Sequence, residues 1–306
     1  MELGYYPGCA LKAHATSLEF GASTEAAFEV LGVELKEVPD WNCCGASAGH
    51  MTNSALTRAL NIRNLALGEA AGMDEILAPC PLCAKELAVA RHEVREDAEL
   101  LRAAEDACEM AYKGTAKPVS LIEFLHRNLD LVKGKLTTQL AAVNVACYYG
   151  CLHTRPPEAM GFDDVENPTT MDEVCTALGL VPVEWSHKTE CCGAGFTMSK
   201  ASIVNRLTGR ILSAATAAGA EAVVVSCPMC HANLDMRQRE AAADAGQDID
   251  LPIFYLSQVL GLALGIEPDT LSLHTHFVDT SDMVGRLRGE EEEPEVRGQR
   301  SKVRSQ

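Results

Sequence analysis

One arrangement of cysteines constrains this chain more than any other feature, because it occurs twice. Cys9 is followed after 33 residues by the adjacent pair Cys43-Cys44, and after 35 more by Cys80-Pro81-Leu82-Cys83. The series returns as Cys151, then after 39 residues Cys191-Cys192, then after 34 more Cys227-Pro228-Met229-Cys230. The flanks repeat as well. Tyr5-Tyr6-Pro7-Gly8-Cys9 matches Tyr148-Tyr149-Gly150-Cys151, and Cys43-Cys44-Gly45-Ala46 matches Cys191-Cys192-Gly193-Ala194. Matched cysteines are offset by 142, 148, 147 and 147 residues, a near-constant shift with a small insertion after Cys151. Such a long period means two copies of a whole domain rather than a solenoid of short repeats. A boundary near Gly134-Lys135 gives units 1–138 and 139–280, and leaves 281–306 as a charged, disordered tail without apolar periodicity.

Within each copy the pattern reads as α/β. Val143–Tyr149 and Leu35–Val38 read as strands; Glu75–Ala78 and the β-branched Ala222–Val225 read as buried strands, each leading to a CxxC. Ser23–Leu31, Ala55–Ala70 and Ile203–Ala217 read as helices. Pro118–Ile122 and Pro252–Leu256 echo each other before further helical segments. Each cysteine group is thereby expected at the carboxyl end of a strand or the start of a helix, where open α/β sheets bind ligands.

A disulfide framework belongs to short secreted chains, and an odd count of thirteen cysteines in 306 residues fits it poorly. No signal peptide is visible at Met1–Tyr5, and no apolar run reaches the roughly 18 residues of a membrane span. A reduced, cytoplasmic setting is therefore expected. A net charge of −17 argues against nucleic acid as a partner, since the phosphate backbone would repel the surface. Five cysteines per copy exceed the four thiolates of a zinc site or a cubane iron–sulfur cluster. Adjacent cysteines in extended chain point apart, which suits a larger object with several metal atoms. Soft thiolates select iron–sulfur clusters, zinc or Cu(I), and Gly45, Gly49, Gly193 and Gly195 let backbone approach a bulky cluster and offer amide donors to its sulfurs. The chain has no ferredoxin-type cysteine run and no GxGxxG fingerprint after a strand, so an external electron supply is expected.

The duplicated pattern, with glycine after each cysteine pair, resembles the cysteine-rich CCG domain. Two copies without a preceding ferredoxin segment resemble the B-type subunit of heterodisulfide reductase over roughly residues 1–265. The resemblance implies two homologous Rossmann-like CCG domains in tandem, related by a pseudo-twofold. It implies two noncubane [4Fe-4S] clusters, the first held by Cys9, Cys43, Cys44, Cys80 and Cys83, the second by Cys151, Cys191, Cys192, Cys227 and Cys230. A disulfide substrate, such as the mixed disulfide of coenzymes M and B, would lie between them and be cleaved homolytically to two thiols. Two further subunits of the same complex, one ferredoxin-like and one flavin-containing, would bring the electrons. The alternative is an electron-transfer CCG subunit of a lactate, glycolate or glycerol-3-phosphate oxidation system or of a quinone-linked complex. Zinc in one copy is a lesser alternative for the metal, because CxxC plus two thiolates supplies tetrahedral sulfur ligation.

Other residues carry weaker expectations. His153, two residues past Cys151, is placed to give a proton to a product thiolate, and Lys12 and Arg155 to attract an anionic substrate. Cys230-His231 completes a CxxCH match to haem attachment, but the first copy has Ala84 where the second has His231. Cys147, Cys108 and Cys175 read as core bystanders. His274 and His276 fall on one face of a strand by period 2.

Overall fold

The computed structural model describes residues 1–12, 15–46 and 49–290. Its strands form two separate four-stranded sheets. The first contains β1 (Glu2–Tyr5), β2 (Glu34–Glu37), β3 (Glu75–Ala78) and β4 (Lys117–Ser120) in the order β2-β1-β3-β4. The second contains β5 (Asn144–Tyr148), β6 (Val181–Pro182), β7 (Ala222–Val225) and β8 (Ile253–Tyr255) in the order β6-β5-β7-β8. Every pairing is parallel, with Leu3 opposite Leu35, Leu77 opposite Val119 and Val224 opposite Phe254. Parallel strands need crossover helices on both faces, so their residues are buried on two sides. Ala222–Val225, buried throughout, shows this most clearly.

In both sheets the first strand is central and the chain steps away from it in opposite directions. The point of reversal, between β1 and β3 and again between β5 and β7, opens a crevice at the strands' carboxyl ends. Cys9 follows β1, Cys80 follows β3, Cys151 follows β5 and Cys227 follows β7. The fold therefore carries both cysteine groups to the position where ligands bind in this class of sheet.

The two domains meet through equivalent helices exchanged across the seam. Helix Leu18–Leu31 of the first packs on Leu256–Ala263 of the second, and Thr170–Leu178 of the second packs on Leu121–Arg127 of the first. That reciprocal pairing is a pseudo-twofold arrangement. Phe20 stacks on Tyr255 with ring centroids 4.4 Å apart, Ser23 Oγ lies 2.7 Å from Ser257 Oγ, and His126 Nε2 lies 2.8 Å from Glu173 Oε2. With both rings fully buried, the seam is a continuous core rather than a solvated linker.

Two expectations are corrected here. Residues 281–288 are not tail: Ser281–Arg288 is a helix with Met283, Val284 and Leu287 buried, and the carbonyl of Leu287 accepts from the amide of Ala141. Its apolar face is too short to stand out from a polar stretch of sequence. The rest of the expected tail, 291–306, lies outside the described residues. His274 and His276 are not on a strand; Leu273–Thr275 is a 3-10 turn, which returns His276 against Gln258 and His231.

The terminal helix is tied to the second domain by Arg286, which donates to Glu221 Oε1 at 2.6 Å, while Glu221 Oε2 accepts from the amide of Asn144. The Arg286 hydrogen bond, with that amide, holds the Glu221 carboxyl below its ordinary value of 4.5. A depressed carboxylate stabilises above its unfolded pKa and loses that contribution as pH falls through the folded one. Amide protection factors in Ser281–Arg288, with the intrinsic pH dependence of exchange divided out, are accordingly expected to fall below about pH 4.5 relative to neutral pH, and Glu221→Gln to abolish that pH response. An unchanged response in the variant would refute it.

Candidate functional site

Each crevice gathers five thiols. In the first domain, Cys43 Sγ lies 3.8 Å from Cys9 Sγ and Cys44 Sγ lies 3.4 Å from Cys83 Sγ, and Cys83 also contacts Cys80. In the second, Cys192 Sγ lies 3.6 Å from Cys230 Sγ, Cys191 contacts Cys151, and Cys230 contacts Cys227. All ten sequence-predicted cysteines are therefore in the two groups. Cys147 and Cys175 form a separate buried contact beneath the second sheet, and Cys108 ends a helix away from the groups.

The local backbone explains why the thiols converge. Gly8 and Gly150 sit at φ +65° and +68°, a region other residues rarely adopt, and turn the chain back immediately before Cys9 and Cys151. A Cβ on Gly8 would stand 2.8 Å from Cys83 Sγ, and one on Gly150 would stand 3.1 Å from Cys230 Sγ. Only glycine leaves room there. Tyr6 Oη donates to the carbonyl of Asn42 at 2.8 Å, and Tyr148 Oη donates to that of Glu190 at 2.6 Å. Each tyrosine thus pins the residue just before a cysteine pair. Burial, then the neighbouring thiols, push both phenols up, which keeps them neutral donors. Cys80 and Cys227 precede helices that begin at Pro81 and Pro228, so unpaired amides and the positive helix end face the thiols.

Polar donors also aim at sulfur. The amides of Gly45 and Gly193 donate to Cys43 Sγ and Cys191 Sγ at 3.5 and 3.3 Å, and Asn233 Nδ2 donates to Cys192 Sγ at 3.4 Å. Asn61 Nδ2 holds the carbonyl of Cys44 at 2.9 Å. Hydrogen bonds from Cys43 and Cys83 draw the Cys44 thiol down, and one from Cys230 draws Cys192 down. The same contacts push the partner thiols Cys43, Cys83 and Cys230 up, so within each group one sulfur is drawn toward the thiolate form that binds soft metals. In each group three cysteines are buried (Cys44, Cys80 and Cys83; Cys192, Cys227 and Cys230) while Cys9, Cys43 and Cys191 are exposed and Cys151 is half-buried. Five sulfurs, amide donors to sulfur and a glycine-walled crevice fit an iron–sulfur cluster gripped on one side and open on the other.

The remaining predicted residues are placed differently from one another. His153 is fully buried beside the backbone of Ser226, its two ring nitrogens without a partner, and burial pushes its pKa down to about 4. At neutral pH it is an uncharged imidazole, able to donate an N–H hydrogen bond. Lys12 is ion-paired with Glu37, and Arg155 with Glu166 at 2.9 Å and with the Thr189 carbonyl. Both cations thus already face acids. His231, instead of serving haem, stacks on Tyr255 at 4.2 Å.

Sequence reasoning passed over Lys188. Its ammonium is buried and donates to Asp172 Oδ1 at 2.8 Å and to the Pro168 carbonyl, while Tyr149 Oη donates to Asp172 Oδ2 at 2.6 Å. Its own carbonyl accepts from the amides of Tyr149 and Gly150, just ahead of Cys151. The lysine therefore supports the floor of the second group. Nothing in His187-Lys188-Thr189 signals burial, because the partner acid comes from a helix 16 residues earlier.

Comparison with known proteins agrees with this geometry. Residues 3–88 and 145–235 match the cysteine-rich domain family, CCG. The chain is 34% identical over 289 residues to the 8-methylmenaquinol:fumarate reductase membrane anchor subunit of Wolinella succinogenes, covering 92% of this chain and 99% of that one. It is 31% identical over 295 residues to the B-type subunit of the ferredoxin/F(420)H(2)-dependent CoB-CoM heterodisulfide reductase of Methanosarcina acetivorans, covering 94% and 97%. A protein of Archaeoglobus profundus, itself named for its likeness to the heterodisulfide reductase B-type subunit, is 26% identical, covering 89% and 93%. Among solved structures, a hypothetical protein from Helicobacter pylori aligns with a TM-score of 0.69 at 14% identity, which shows the fold alone; 91% of this chain is covered but only about half, 52%, of that one. Among the described residues no helix is long and apolar enough to cross a membrane. The chain belongs to the cysteine-rich CCG family, carries two copies of the domain in tandem, and is a homologue of the B-type subunit of heterodisulfide reductase.

Proposed function

We propose that this chain is the disulfide-reducing subunit of a heterodisulfide reductase-like complex, an oxidoreductase acting on sulfur groups in the cytoplasm. The observation that carries the reading is the pair of five-thiol groups, one at the switch point of each sheet and related by the pseudo-twofold. From Cys230, His231 stacks on Tyr255 and Tyr255 on Phe20 of the first domain, whose helix follows the Cys9 turn. Bound in these groups, two noncubane [4Fe-4S] clusters would supply one electron each, so that a disulfide, two electrons and two protons give two thiols.

The protein's own part is geometric. Gly8 and Gly150 leave space beside the buried sulfurs, and Tyr6 and Tyr148 fix the cysteine-pair loops. The exposed Cys9, Cys43 and Cys191 leave the outer side of each group open to a substrate. His153, neutral and fully buried beside the Ser226 backbone, would back the second group from within rather than meet substrate on its open side. The charged partners of Lys12 and Arg155 make those residues rim contacts for substrate rather than free cations. Electrons would arrive from two other members of the complex, one ferredoxin-like and one carrying flavin.

The likeness to part of a quinol:fumarate reductase supports a second reading, in which the clusters only pass electrons in a quinone-linked complex. Titrating the dithionite-reduced, anaerobically prepared protein with the CoB-CoM heterodisulfide and with small symmetrical disulfides separates the two. The disulfide reading expects about one equivalent to reoxidise the protein and to produce a new paramagnetic signal. Full iron content with no response to any disulfide leaves the electron-transfer reading, and zinc without iron sinks both.

A further inference from the structure

Among the described residues one side-chain N–H is aimed at a cysteine sulfur: Asn233 Nδ2 lies 3.4 Å from Cys192 Sγ. Helix Pro228–Met236 presents it. Asn233 comes three residues after Cys230, one turn along, so both side chains meet Cys192. Asn233 has no exposed surface and Cys192 is buried. The direction of the amide is fixed from both ends. Nδ2 also lies 3.4 Å from the Cys192 carbonyl, an acceptor, so the face turned to Cys192 must be the N–H face. Thr197 Oγ1 donates to Oδ1 at 3.1 Å, and Arg237 holds the Thr197 carbonyl at 2.9 Å. A separation of 3.4 Å is long for N–H to oxygen, so sulfur, the larger atom, is the better-fitted acceptor.

Such a bond has a redox consequence. Reduction of a thiolate-held cluster adds negative charge that spreads onto its sulfurs, and an N–H dipole pointing at one of them stabilises that charge. Hydrogen bonds to sulfur are accordingly one of the levers that raise a cluster's reduction potential. Burial strengthens the effect, because no water competes for the sulfur. The same helix position in the first domain carries different chemistry. Glu86 comes three residues after Cys83, is buried, and pairs with Lys85 at 2.7 Å; a carboxylate has no N–H to give. Asn61, which holds the Cys44 carbonyl, spends its second N–H on the carbonyl of Thr57.

We infer that Asn233 is a potential-setting residue: by donating an N–H to Cys192 Sγ, with Thr197 holding the amide in register, it raises the reduction potential of the cluster bound in the second group. The inference deepens the proposed function and rests on it only for the presence of an iron–sulfur cluster in that group.

The test uses the full chain, prepared without oxygen as wild type, Asn233→Leu and Thr197→Val. Each is also made with Cys44→Ala, so that the second group is read alone. Electron paramagnetic resonance at a series of applied potentials gives the midpoints, and iron per chain is assayed on every sample. Asn233→Leu is expected to lower the reduction equilibrium constant of the second group at least tenfold, a fall of about 59 mV for one electron, with iron per chain unchanged. Thr197→Val keeps the amide but frees it to turn, and is expected to give a smaller fall of the same sign. An unchanged or raised midpoint in Asn233→Leu overturns the inference. Where Asn233→Leu sheds its iron, an unchanged or raised midpoint in Thr197→Val overturns it, and loss of iron from both variants does so too. The disulfide titration is read on the same samples. A midpoint that depends on Asn233 in a chain that ignores disulfides defeats the disulfide reading alone. A chain that disulfides reoxidise, with its midpoint unmoved by Asn233→Leu, defeats this inference alone.

Discussion

Alanine at Cys44 is expected to remove the metal of the first group and spare the second, lowering bound iron from about eight to about four atoms per chain. The two groups share no ligand, and each closes around its own sheet's switch point. Cys44 is the inner member of its pair, buried, 3.4 Å from Cys83 Sγ, with its carbonyl held by Asn61. Its loss takes away a thiol drawn toward the thiolate while leaving the backbone clamp in place. Cys192→Ala is expected to do the converse, and Cys44→Ala/Cys192→Ala to bind no cluster. Iron and acid-labile sulfide assays with low-temperature electron paramagnetic resonance read the outcome, and circular dichroism checks the fold. Complete iron loss from either single variant would show that the groups do not fill independently.

Lys188→Met should produce a large loss of stability. Removing one member of a buried ion pair leaves its partner charged and unsatisfied, at a cost of about 3–5 kcal/mol, against a total of about 5–15 kcal/mol for a domain. Asp172 would keep Tyr149 as a hydrogen-bond donor but lose the ammonium. Burial already pushes the Asp172 carboxyl up, opposed by Lys188 and Tyr149. Without the lysine it rises further. An acid whose folded pKa is raised loses stability as pH climbs through the interval between its unfolded and folded values. The deficit of Lys188→Met relative to wild type should therefore shrink on acidification toward pH 4, and Lys188→Met/Asp172→Leu should recover part of it at neutral pH. Urea denaturation at several pH values measures this; a deficit under about 1 kcal/mol at neutral pH would mean that the pair acts as a surface pair does.

Duplication, the clustering of ten cysteines into two groups and the α/β alternation were legible because each leaves a mark in local order. Glu75–Ala78 and Ala222–Val225 are strands with the bounds expected from their apolar runs. Ala55–Ala70 differs from the observed Ser54–Ala70 only by the residue after the Asn53 cap. The helix expected from Ser23 begins instead at Leu18, because Phe20 is claimed by Tyr255 of the other domain, a contact no window of sequence contains. The same holds for His276, drawn out of an apparent strand toward Gln258, and for Ser281–Arg288, whose apolar face matters only against Ala141 and its neighbours.

Spacing alone determined which thiols group together, since parallel sheets of this order bring the ends of neighbouring strands into one crevice whatever the intervening loops contain. Tertiary structure alone decided which thiols are sheltered and which stay open, that Lys188 lies under the second group, and that Lys12 and Arg155 already face acids. Burial and charge pairing arise between residues far apart in the chain. They are properties of packing, and composition and period carry no record of them.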